Sequence, residues 1–482
     1  MLEARTHKYL KDFLKKNSSN WKHLYSFGRI ISSFVRKKEN LLINSEIFLN
    51  EQWFPGILMT LFLNQENSKF VIPEYQLQSL LNEHLPLYKD FGFDFSVQDN
   101  QIIFSQHKVS IQTLESLLDD YRQNNYEKQI IIFADVSSLK KDLKNILRIT
   151  LNKKDWFNYV DSFLGEKNEL YETYNLLKEK FFLRSFPTQT FMSLNIDEAN
   201  LIKKIIKENV DCSDKFVKLN EAFKSGWPFW VNLDHEKFEW SLEVEPIDQF
   251  LEINELLRKN NMIFLSSFRR DTFFKRYLTK NDIKLTTSIS LESNFVEKDI
   301  IIYIPSKLLL PNNPSFVKST IDNCKKFSLL CKGVSIFLTN EDNFKIKLAT
   351  ELASIYGQRV LLENYPNHDN QIVCSSYDWW INNLHLICPP DQIIIPLLPF
   401  PNMVEPINQK TISCLRSQSN NWFREFMFPE AFQDIDKAVS PLRKSSGKLL
   451  ILDGRISNRK WGKDMLEMIQ PQNIIPFMYP FD

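Results

Sequence analysis

The sequence predicts an α/β protein of two tandem parallel-sheet domains, with a helical insertion in the first. The chain has 482 residues, which suffices for about two to four domains that each bury a core. Short apolar runs alternate with amphipathic segments, the pattern that parallel strands and their helical crossovers require. We expect the first domain at 1–285, the insertion within it at 140–235, and the second domain at 286–482.

Two spacings of apolar residues predict the elements of the first domain. Residues 2–16 and 24–37 repeat apolar side chains at helical spacing, so each is expected to form an amphipathic helix. Residues 140–222 carry helical periodicity almost throughout, which predicts the insertion. Short apolar runs predict buried strands, and a hairpin is expected between the first two of them: strands 41–44, 129–135 and 262–267, with the hairpin near 93–112.

A regular alternation of strands and helices predicts the second domain. A long helix is expected across about 430–443. The expected strands are 299–305, 333–339, 358–363, 371–376, 391–400 and 448–455. Ligands of open α/β sheets bind beyond the carboxyl ends of the strands. In this chain that edge is expected to carry Asp135, Ser266, Ser375 and Asp453.

Composition excludes several classes of protein. Lys and Arg total 60 against 59 Asp and Glu, so no overall field draws the chain towards nucleic acid or anionic lipid. The 10 glycines include no GxG, and a glycine-rich phosphate loop is therefore absent. The 6 cysteines include no CxxC, which disfavours a zinc or iron–sulfur site built from close pairs.

The sequence also bears on location. Its first residues, MLEARTHKYLKDFLKK, are charged throughout and lack the apolar core of a signal peptide. The longest apolar stretch, 53–63, is too short to span a bilayer and contains a proline. A cytoplasmic protein without a membrane partner is therefore expected.

Five ordered segments of the last third resemble a known family. They are IIIYIPSKLLLPNNPSF at 300–316, PLLPF at 396–400, Pro406, NWFREFMFPEAF at 421–432 and LLILDGRISNRKWG at 449–462. In order and spacing they resemble the C-terminal motor domain of the DinG and XPD branch of superfamily 2 DNA helicases. The resemblance implies two RecA-like domains that bind single-stranded or forked DNA, unwind duplex 5′ to 3′ with ATP, and act in DNA repair.

The resemblance extends to the start of the chain, where the family has a Gly-Thr-Gly-Lys-Ser nucleotide loop. The corresponding stretch is LLINSEIFLNEQWFPGILM, in which Glu51 takes the lysine position and Gln52 the hydroxyl position. Glu46, Asn50, Glu51 and Gln52 are thus the degenerate nucleotide-loop positions. Because the family's lysine neutralises phosphate and its hydroxyl holds magnesium, we expect ATP binding in the usual mode to be lost.

The family's magnesium-binding strand resembles IIIFADVSSL at 130–139. Its aspartate position is Ala134 and its glutamate position is Asp135, so Asp135 is the first catalytic candidate. A competing match is IDEAN at 196–200. No strand-like run precedes it, and we expect Asp197 and Glu198 to begin a helix instead.

Arg443 is the second catalytic candidate. The family's Gln-x-x-Gly-Arg-x-x-Arg motif falls on Asp436, Val439, Ser440 and Arg443, so only the last arginine is kept. An arginine finger stabilises charge on a transferred phosphoryl group. We interpret Arg443 as a phosphate-binding or interdomain ion-pair residue rather than as a working finger.

The resemblance also implies two inserted modules. The family's iron–sulfur module needs four cysteines between the first two motifs, and no cysteine precedes Cys212, so no iron–sulfur cluster is expected. Residues 64–128 are interpreted as a reduced replacement of that module. The insertion at 140–235 takes the place of the family's arch domain.

These matches and departures predict a degenerate DinG-like helicase homologue that binds nucleic acid, with ATP turnover impaired or lost. ATP and Mg²⁺ are expected only because of the resemblance. The expected nucleic-acid contacts are Trp379, Trp380, Trp422 and Arg424. Two alternatives stay open: an active helicase with unorthodox nucleotide contacts, and a non-enzymatic scaffold that binds a protein partner.

Overall fold

The fold is described from a computed structural model. It covers residues 1–17, 21–122, 128–157, 167–186, 188–208, 210, 213–268, 271–292, 298–329, 332–384 and 386–475, with the side chains of 167–169 left out. The predicted second domain therefore includes a stretch, 476–482, that lies outside the described residues. No helix in the covered ranges is long and apolar enough to cross a membrane.

Helices and strands alternate through most of the chain. The strands are β1 (Leu41–Asn44), β2 (Ser68–Val71), β3 (Ser96–Gln98), β4 (Gln101–Ile103), β5 (Lys108–Gln112), β6 (Ile130–Phe133), β7 (Ile149–Leu151), β8 (Phe191–Met192), β9 (Phe229–Asp234), β10 (Glu239–Val244), β11 (Asn261–Ser266), β12 (Thr287–Ser290), β13 (Ile300–Tyr303), β14 (Ser335–Leu338), β15 (Val360–Leu362), β16 (Ile372–Ser375), β17 (Gln392–Ile395), β18 (Lys448–Ile451) and β19 (Gln472–Ile475).

The α-helices are α1 (Leu2–Lys16), α2 (Leu24–Lys37), α3 (Phe54–Leu63), α4 (Glu74–Ser79), α5 (Leu85–Phe91), α6 (Leu114–Arg122), α7 (Leu139–Leu147), α8 (Lys153–Phe157), α9 (Lys167–Arg184), α10 (Ile196–Glu208), α11 (Asp214–Lys224), α12 (Leu251–Lys259), α13 (Thr272–Lys280), α14 (Phe316–Ser328), α15 (Asp342–Tyr356), α16 (Tyr377–Asn382), α17 (Pro406–Ser417), α18 (Phe428–Val439), α19 (Leu442–Ser445), α20 (Arg455–Asn458) and α21 (Trp461–Met468). Short 3₁₀ turns occupy Glu46–Leu49 and Gly357–Arg359, and π-helical turns occupy Leu80–His84 and Phe423–Met427.

The first domain is built on an eight-stranded sheet in the order β12-β1-β11-β6-β2-β5-β4-β3. Neighbours from β12 to β5 run parallel, and the β5-β4-β3 end is antiparallel. Helices α1 to α3 cover one face, because their apolar stripes pack on the same core as Leu41, Ile43 and Ile132. The predicted helices 2–16 and 24–37 and the strand 41–44 are confirmed.

One predicted boundary of the first domain needs correction, and one predicted module is part of its sheet. Residues 64–128 contribute to the sheet of the first domain, because β2 lies inside it and β3 to β5 extend it, and their interpretation as a reduced replacement of the iron–sulfur module stays a prediction. The domain also continues past residue 285, since β12 pairs in parallel with β1. This strand was missed because its sequence, TSIS, has a single apolar side chain and lacks the run of a buried strand.

The insertion is mixed α and β rather than helical. It begins at β7, because α7 packs on the core of the first domain through Leu139, Leu143 and Leu147. Four antiparallel strands in the order β7-β10-β9-β8 share a separate core with helices α8 to α11. The insertion therefore spans 149–244, with β9 and β10 leading back to the first domain.

The second domain contains a seven-stranded parallel sheet in the order β15-β16-β14-β17-β18-β13-β19. Helices α14 and α15 cover one face, and α16 and α18 cover the other. Six of these strands coincide with the predicted ones. Two tandem parallel-sheet domains, with an insertion in the first, are therefore confirmed as the architecture.

Candidate functional site

The loop between β1 and α3 lies at the carboxyl edge of the first sheet, where parallel α/β sheets bind ligands. Ser45 continues the line of β1 by donating its backbone N–H to the Ser266 carbonyl at 2.9 Å. The chain then forms a 3₁₀ turn, and the side chains of Ile47, Phe48 and Trp53 are at most 1% exposed. Apolar side chains thus fill the loop that resembles the nucleotide loop.

Glu51, at the position of the family's lysine, bonds within its own domain. Its Oε2 accepts from Ser79 Oγ at 2.7 Å and lies 2.9 Å from Nε2 of His84. Gln52, at the hydroxyl position, has an exposed side chain, while its backbone N–H donates to Asn50 Oδ1 at 2.9 Å. Glu51 thus bonds side chains of α4 and of the π-helical turn after it, whereas the Gln52 backbone bonds within the loop.

Glu46 makes the contact that joins the two domains. Its Oε1 accepts from Nη1 of Arg443 at 2.9 Å, and the two side chains are only 4% and 1% exposed. Arg443 Nη2 also donates to Asp436 Oδ1 at 2.5 Å, and its Nε donates to the Gln470 carbonyl at 2.8 Å. The retained motif arginine is therefore an interdomain ion-pair residue, one of the two roles that we favoured.

Asp135 is bonded on both carboxylate oxygens. Its Oδ1 accepts from the backbone N–H and the hydroxyl of Ser137, at 2.9 and 2.6 Å. Ser267 donates its backbone N–H to Oδ1 and its hydroxyl to Oδ2, both at 3.2 Å. Lys437 of the second domain lies 3.7 Å from Oδ2. The carboxylate thus links the loops after β6 and β11 to α18.

Further ion pairs extend this contact between the domains. Lys140 Nζ lies 2.6 Å from Glu430, and Lys141 contacts Asp378 and Asp434. Arg276 Nη1 lies 3.8 Å from Glu425. We call this set, with Glu46–Arg443 and Asp135–Lys437, the interdomain seam.

Two carboxyl groups near the seam, the partly buried Asp434 and the buried Asp271, have raised pKa values. Burial raises the pKa of Asp434 to about 6, against the lowering effect of Lys141. Burial likewise raises the pKa of Asp271 to about 6, although Asp271 accepts from the Phe274 backbone N–H and the Ser266 hydroxyl, each at 2.8 Å. Asp271 is only 3% exposed, whereas the Asp434 side chain keeps 24% of its surface exposed.

A cavity of about 680 Å³ adjoins the seam where the first domain, the insertion and the second domain meet. Aromatic side chains from all three parts line it, including Trp227, Phe250, Phe273, Tyr277 and Phe426. Its charged lining residues are Lys140, Arg276, Lys280, Arg424, Asp248, Glu252, Glu425 and Glu430.

The four predicted nucleic-acid contacts lie in different surroundings. Arg424 lines the cavity, is about half exposed and pairs with Asp464 at 2.7 Å. Trp422 is half-buried under the Arg416 guanidinium, and Trp379 is half-buried beside Tyr365. Trp380 is fully buried and donates its indole N–H to the Ala438 carbonyl at 2.9 Å. With no ring face to offer a base, Trp380 is removed from the predicted set.

Other predicted positions have structural surroundings. Asp197 and Glu198 begin α10, as expected, and Glu198 Oε2 lies 3.0 Å from Arg184. Asp453 accepts from the Leu398 backbone N–H at 3.0 Å and pairs with Arg455. In the described ranges, which omit Cys212, no group of three His, Cys, Asp or Glu residues could hold a metal ion.

Several seam residues were missed from the sequence. Glu430, Asp434 and Lys437 recur at helical spacing on α18, so their common face could have been found from their positions i, i+4 and i+7. The two carboxylates pair with Lys140 and Lys141 in the first turn of α7, and Lys437 pairs with Asp135, in each case about 300 residues earlier in the chain. Because no local spacing connects α7 with α18, their ion pairs could not be predicted from the sequence.

The residues at the edge of the first sheet do not fit the phosphates of ATP with Mg²⁺. The stretch from 41 to 53 has no glycine, so its Cβ atoms obstruct the inward-turned N–H groups that cradle phosphate. Two carboxylates, Glu46 and Glu51, stand where positive charge is needed, and Trp53 and Phe48 fill the loop. Arg443 already holds two carboxylates.

Comparison with known proteins agrees with this fold. No protein-family model and no curated protein sequence matches the chain. Among solved structures, an XPD helicase superposes with a TM-score of 0.62 at 12% identity, covering 94% of this chain and 99% of its own. Xpd4 of S. tokodaii gives 0.62 at 13%, covering 95% and 100%, and an apo XPD gives 0.59 at 13%, covering 94% and 100%. The chain therefore shares the fold of these XPD structures.

Proposed function

We propose that this protein binds single-stranded or forked DNA with a helicase fold and does not hydrolyse ATP. The observation that carries the proposal is the cavity at the junction of the two domains and the insertion, which Arg424 and several aromatic side chains line. The fold, shared with XPD helicases, makes nucleic acid the first ligand class to consider. It carries no activity by itself.

Aromatic surface in the cavity supports binding of unpaired bases. Trp227 and Phe273 are half-buried, so part of each ring remains accessible, and Phe250 and Tyr277 stack at 4.1 Å between centroids. Bases stack on such rings without sequence preference, with about 1–3 kcal/mol per base. A volume of about 680 Å³ leaves room for an unstacked nucleotide.

Charge around the cavity is balanced rather than basic. Four cationic side chains are matched by four acidic ones, and Lys140 and Arg276 already pair with Glu430 and Glu425. Phosphate contacts would therefore come mainly from Lys280, and from Arg424 if phosphate replaces its partner Asp464, which lies 2.7 Å away at the surface. We propose that stacking contributes more to affinity than counterion release does.

Loss of ATP turnover follows because the loop between β1 and α3 does not fit the phosphates of ATP. The carboxylates of Glu46 and Glu51 would repel phosphate, and Asp135 is bonded on both oxygens within the loops that it joins. None of these groups is placed to hold magnesium or to orient water. A DNA strand bound at the cavity would then not be translocated.

Fluorescence anisotropy of a labelled single strand, paired with a phosphate-release assay on the same protein, tests the proposal. We expect binding without turnover, and weaker binding in Arg424→Glu than in the matched control Lys318→Glu, which lies on α14 away from the cavity lining. Strand-stimulated phosphate release would instead support an active helicase. No binding at low salt would overturn the proposal in favour of a protein-binding scaffold.

A further inference from the structure

The loop that does not fit a nucleotide phosphate contacts an arginine of the second domain, Arg443. An arginine finger reaches from outside the phosphate loop to the phosphate that the loop holds, so a bound nucleotide connects the two. Here the connection is made within the chain, because Arg443 Nη1 bonds Glu46 Oε1 at 2.9 Å. Glu46 follows β1 by two residues, on the sheet edge where phosphate would lie.

We propose that the carboxylate of Glu46 takes the place of a nucleotide phosphate as the partner of Arg443 and holds the two domains closed without any nucleotide. The contact is buried on both sides, with side-chain exposures of 4% and 1%. In that setting the attraction between the charges is screened far less than at a surface. Closure is therefore a property of the chain rather than of a bound ligand.

The remaining seam contacts act in the same direction. Lys437 reaches Asp135, and its Nζ also lies 5.6 Å from the centre of the Phe268 ring. Phe273 of the first domain faces Phe432 of the second at 6.2 Å between ring centroids. These contacts place side chains of α18 against the loops after β6 and β11 and against helix α13 of the first domain. The Glu46–Arg443 pair is the most deeply buried of the ionic ones.

Glu46 is a better target for substitution than Arg443. When Glu46 is truncated, Arg443 still bonds Asp436 and the Gln470 carbonyl, so its charge stays paired within the second domain. Truncating Arg443 would instead leave Glu46 and Asp436 without their shared cation. The chain also supplies a matched control, since Glu51 lies in the same loop but bonds Ser79 and His84 of its own domain.

The test is single-molecule energy transfer between dyes on unnatural amino acids at two exposed positions, Lys37 in the first domain and Lys347 in the second. We expect one narrow distance distribution for the parent protein, unchanged by ATP with Mg²⁺. Glu46→Ala should shift the distribution to longer distances and widen it, whereas Glu51→Ala should leave it as in the parent. Far-UV circular dichroism first establishes that each variant is folded.

If Glu46→Ala does not fold, Glu46→Gln replaces it, because the amide keeps a hydrogen bond to Arg443 and removes only the charge. A smaller shift in the same direction is then expected. A Glu46 variant with the parent's distribution would overturn the proposal, as would narrowing of the parent's distribution by ATP. Strand affinity is not part of this measurement, so failure of the proposed DNA binding would leave the result unaffected.

Discussion

Arg443 in the second domain and Glu46 in the first form a buried ion pair, with 2.9 Å between Nη1 and Oε1. Arg443 also bonds Asp436, so one guanidinium compensates two carboxylates. Buried ion pairs contribute little net stability over apolar residues, but removing one partner alone leaves an uncompensated charge. Removing Arg443 therefore leaves two carboxylates without a cation, whereas removing Glu46 leaves Arg443 paired with Asp436.

Replacing Arg443 should strongly destabilise the fold. In Arg443→Met both Glu46 and Asp436 lose their cation in a buried setting, and we expect the free energy of unfolding to fall by about 3–5 kcal/mol. Urea denaturation followed by tryptophan fluorescence measures the change. The exposed Arg459→Met serves as the control. Equal midpoints for the two variants would contradict the arrangement described for Arg443.

Asp271 should make stability depend on pH. Its pKa is raised to about 6 by burial, so the folded state prefers the protonated acid. The stabilising contribution is complete below the ordinary pKa near 4 and is lost as the pH rises through about 6, up to about 3 kcal/mol. Asp271→Asn can still accept from the Phe274 N–H through its oxygen and can donate to the Ser266 hydroxyl through its nitrogen. Because it carries no charge, it should be more stable than the parent at pH 8.

Urea midpoints at pH 5 and pH 8 measure this difference. The gap between the parent and Asp271→Asn should be larger at pH 8 than at pH 5. The exposed Asp322→Asn provides the matched control, for which we expect no such gap. Parallel pH profiles for the parent and Asp271→Asn would show that the carboxyl group does not titrate in this range.

Trp227 tests the contribution of stacking to strand binding. It lines the cavity from the end of α11 and is half-buried. Trp227→Ala should weaken binding of a single strand by about 1–3 kcal/mol, while Trp227→Phe, which keeps an aromatic face, should lose less. Anisotropy titrations of the folded variants measure both. Equal affinities for the alanine variant and the parent would remove Trp227 from the interface.

The balanced charge of the cavity predicts weak salt dependence. If Arg424 and Lys280 supply the phosphate contacts, about two counterions are released, and log K for a single strand should fall with log salt at a slope of about −1.4. Anisotropy titrations across a salt series give the slope. A value near −5 would mean that a basic surface elsewhere on the protein carries the binding.

Local patterns in the sequence predicted the framework of the fold but not all of its edges. Helices α1 and α2 and the apolar runs of β1, β6 and β11 were recognised because their spacing reports one buried face. The strands β9 and β10, in contrast, alternate apolar and polar residues within a stretch dominated by helices, and their pairing gives the insertion its sheet. Such pairing depends on contacts that local periodicity does not contain.

The candidate site was predicted in the same uneven way. Alignment with the family's motifs identified Glu46, Asp135 and Arg443 as positions to inspect. Glu46 and Arg443 bond each other although 397 residues separate them along the chain. Trp380 illustrates the opposite error, because its sequence suggested a stacking surface and packing against α18 buried it. Exposure and long-range pairing both arise from tertiary packing.

In our proposal the cleft between the domains carries its own anion, the Glu46 carboxylate, and takes no ATP. Thermal denaturation of the full chain in a titration with ATP and Mg²⁺ tests it most directly. A ligand at 100 times its Kd stabilises the folded state by about 2.7 kcal/mol, which raises the transition temperature measurably. We predict no rise in the transition temperature at any ATP concentration tested. A saturable rise would show that the folded protein binds ATP.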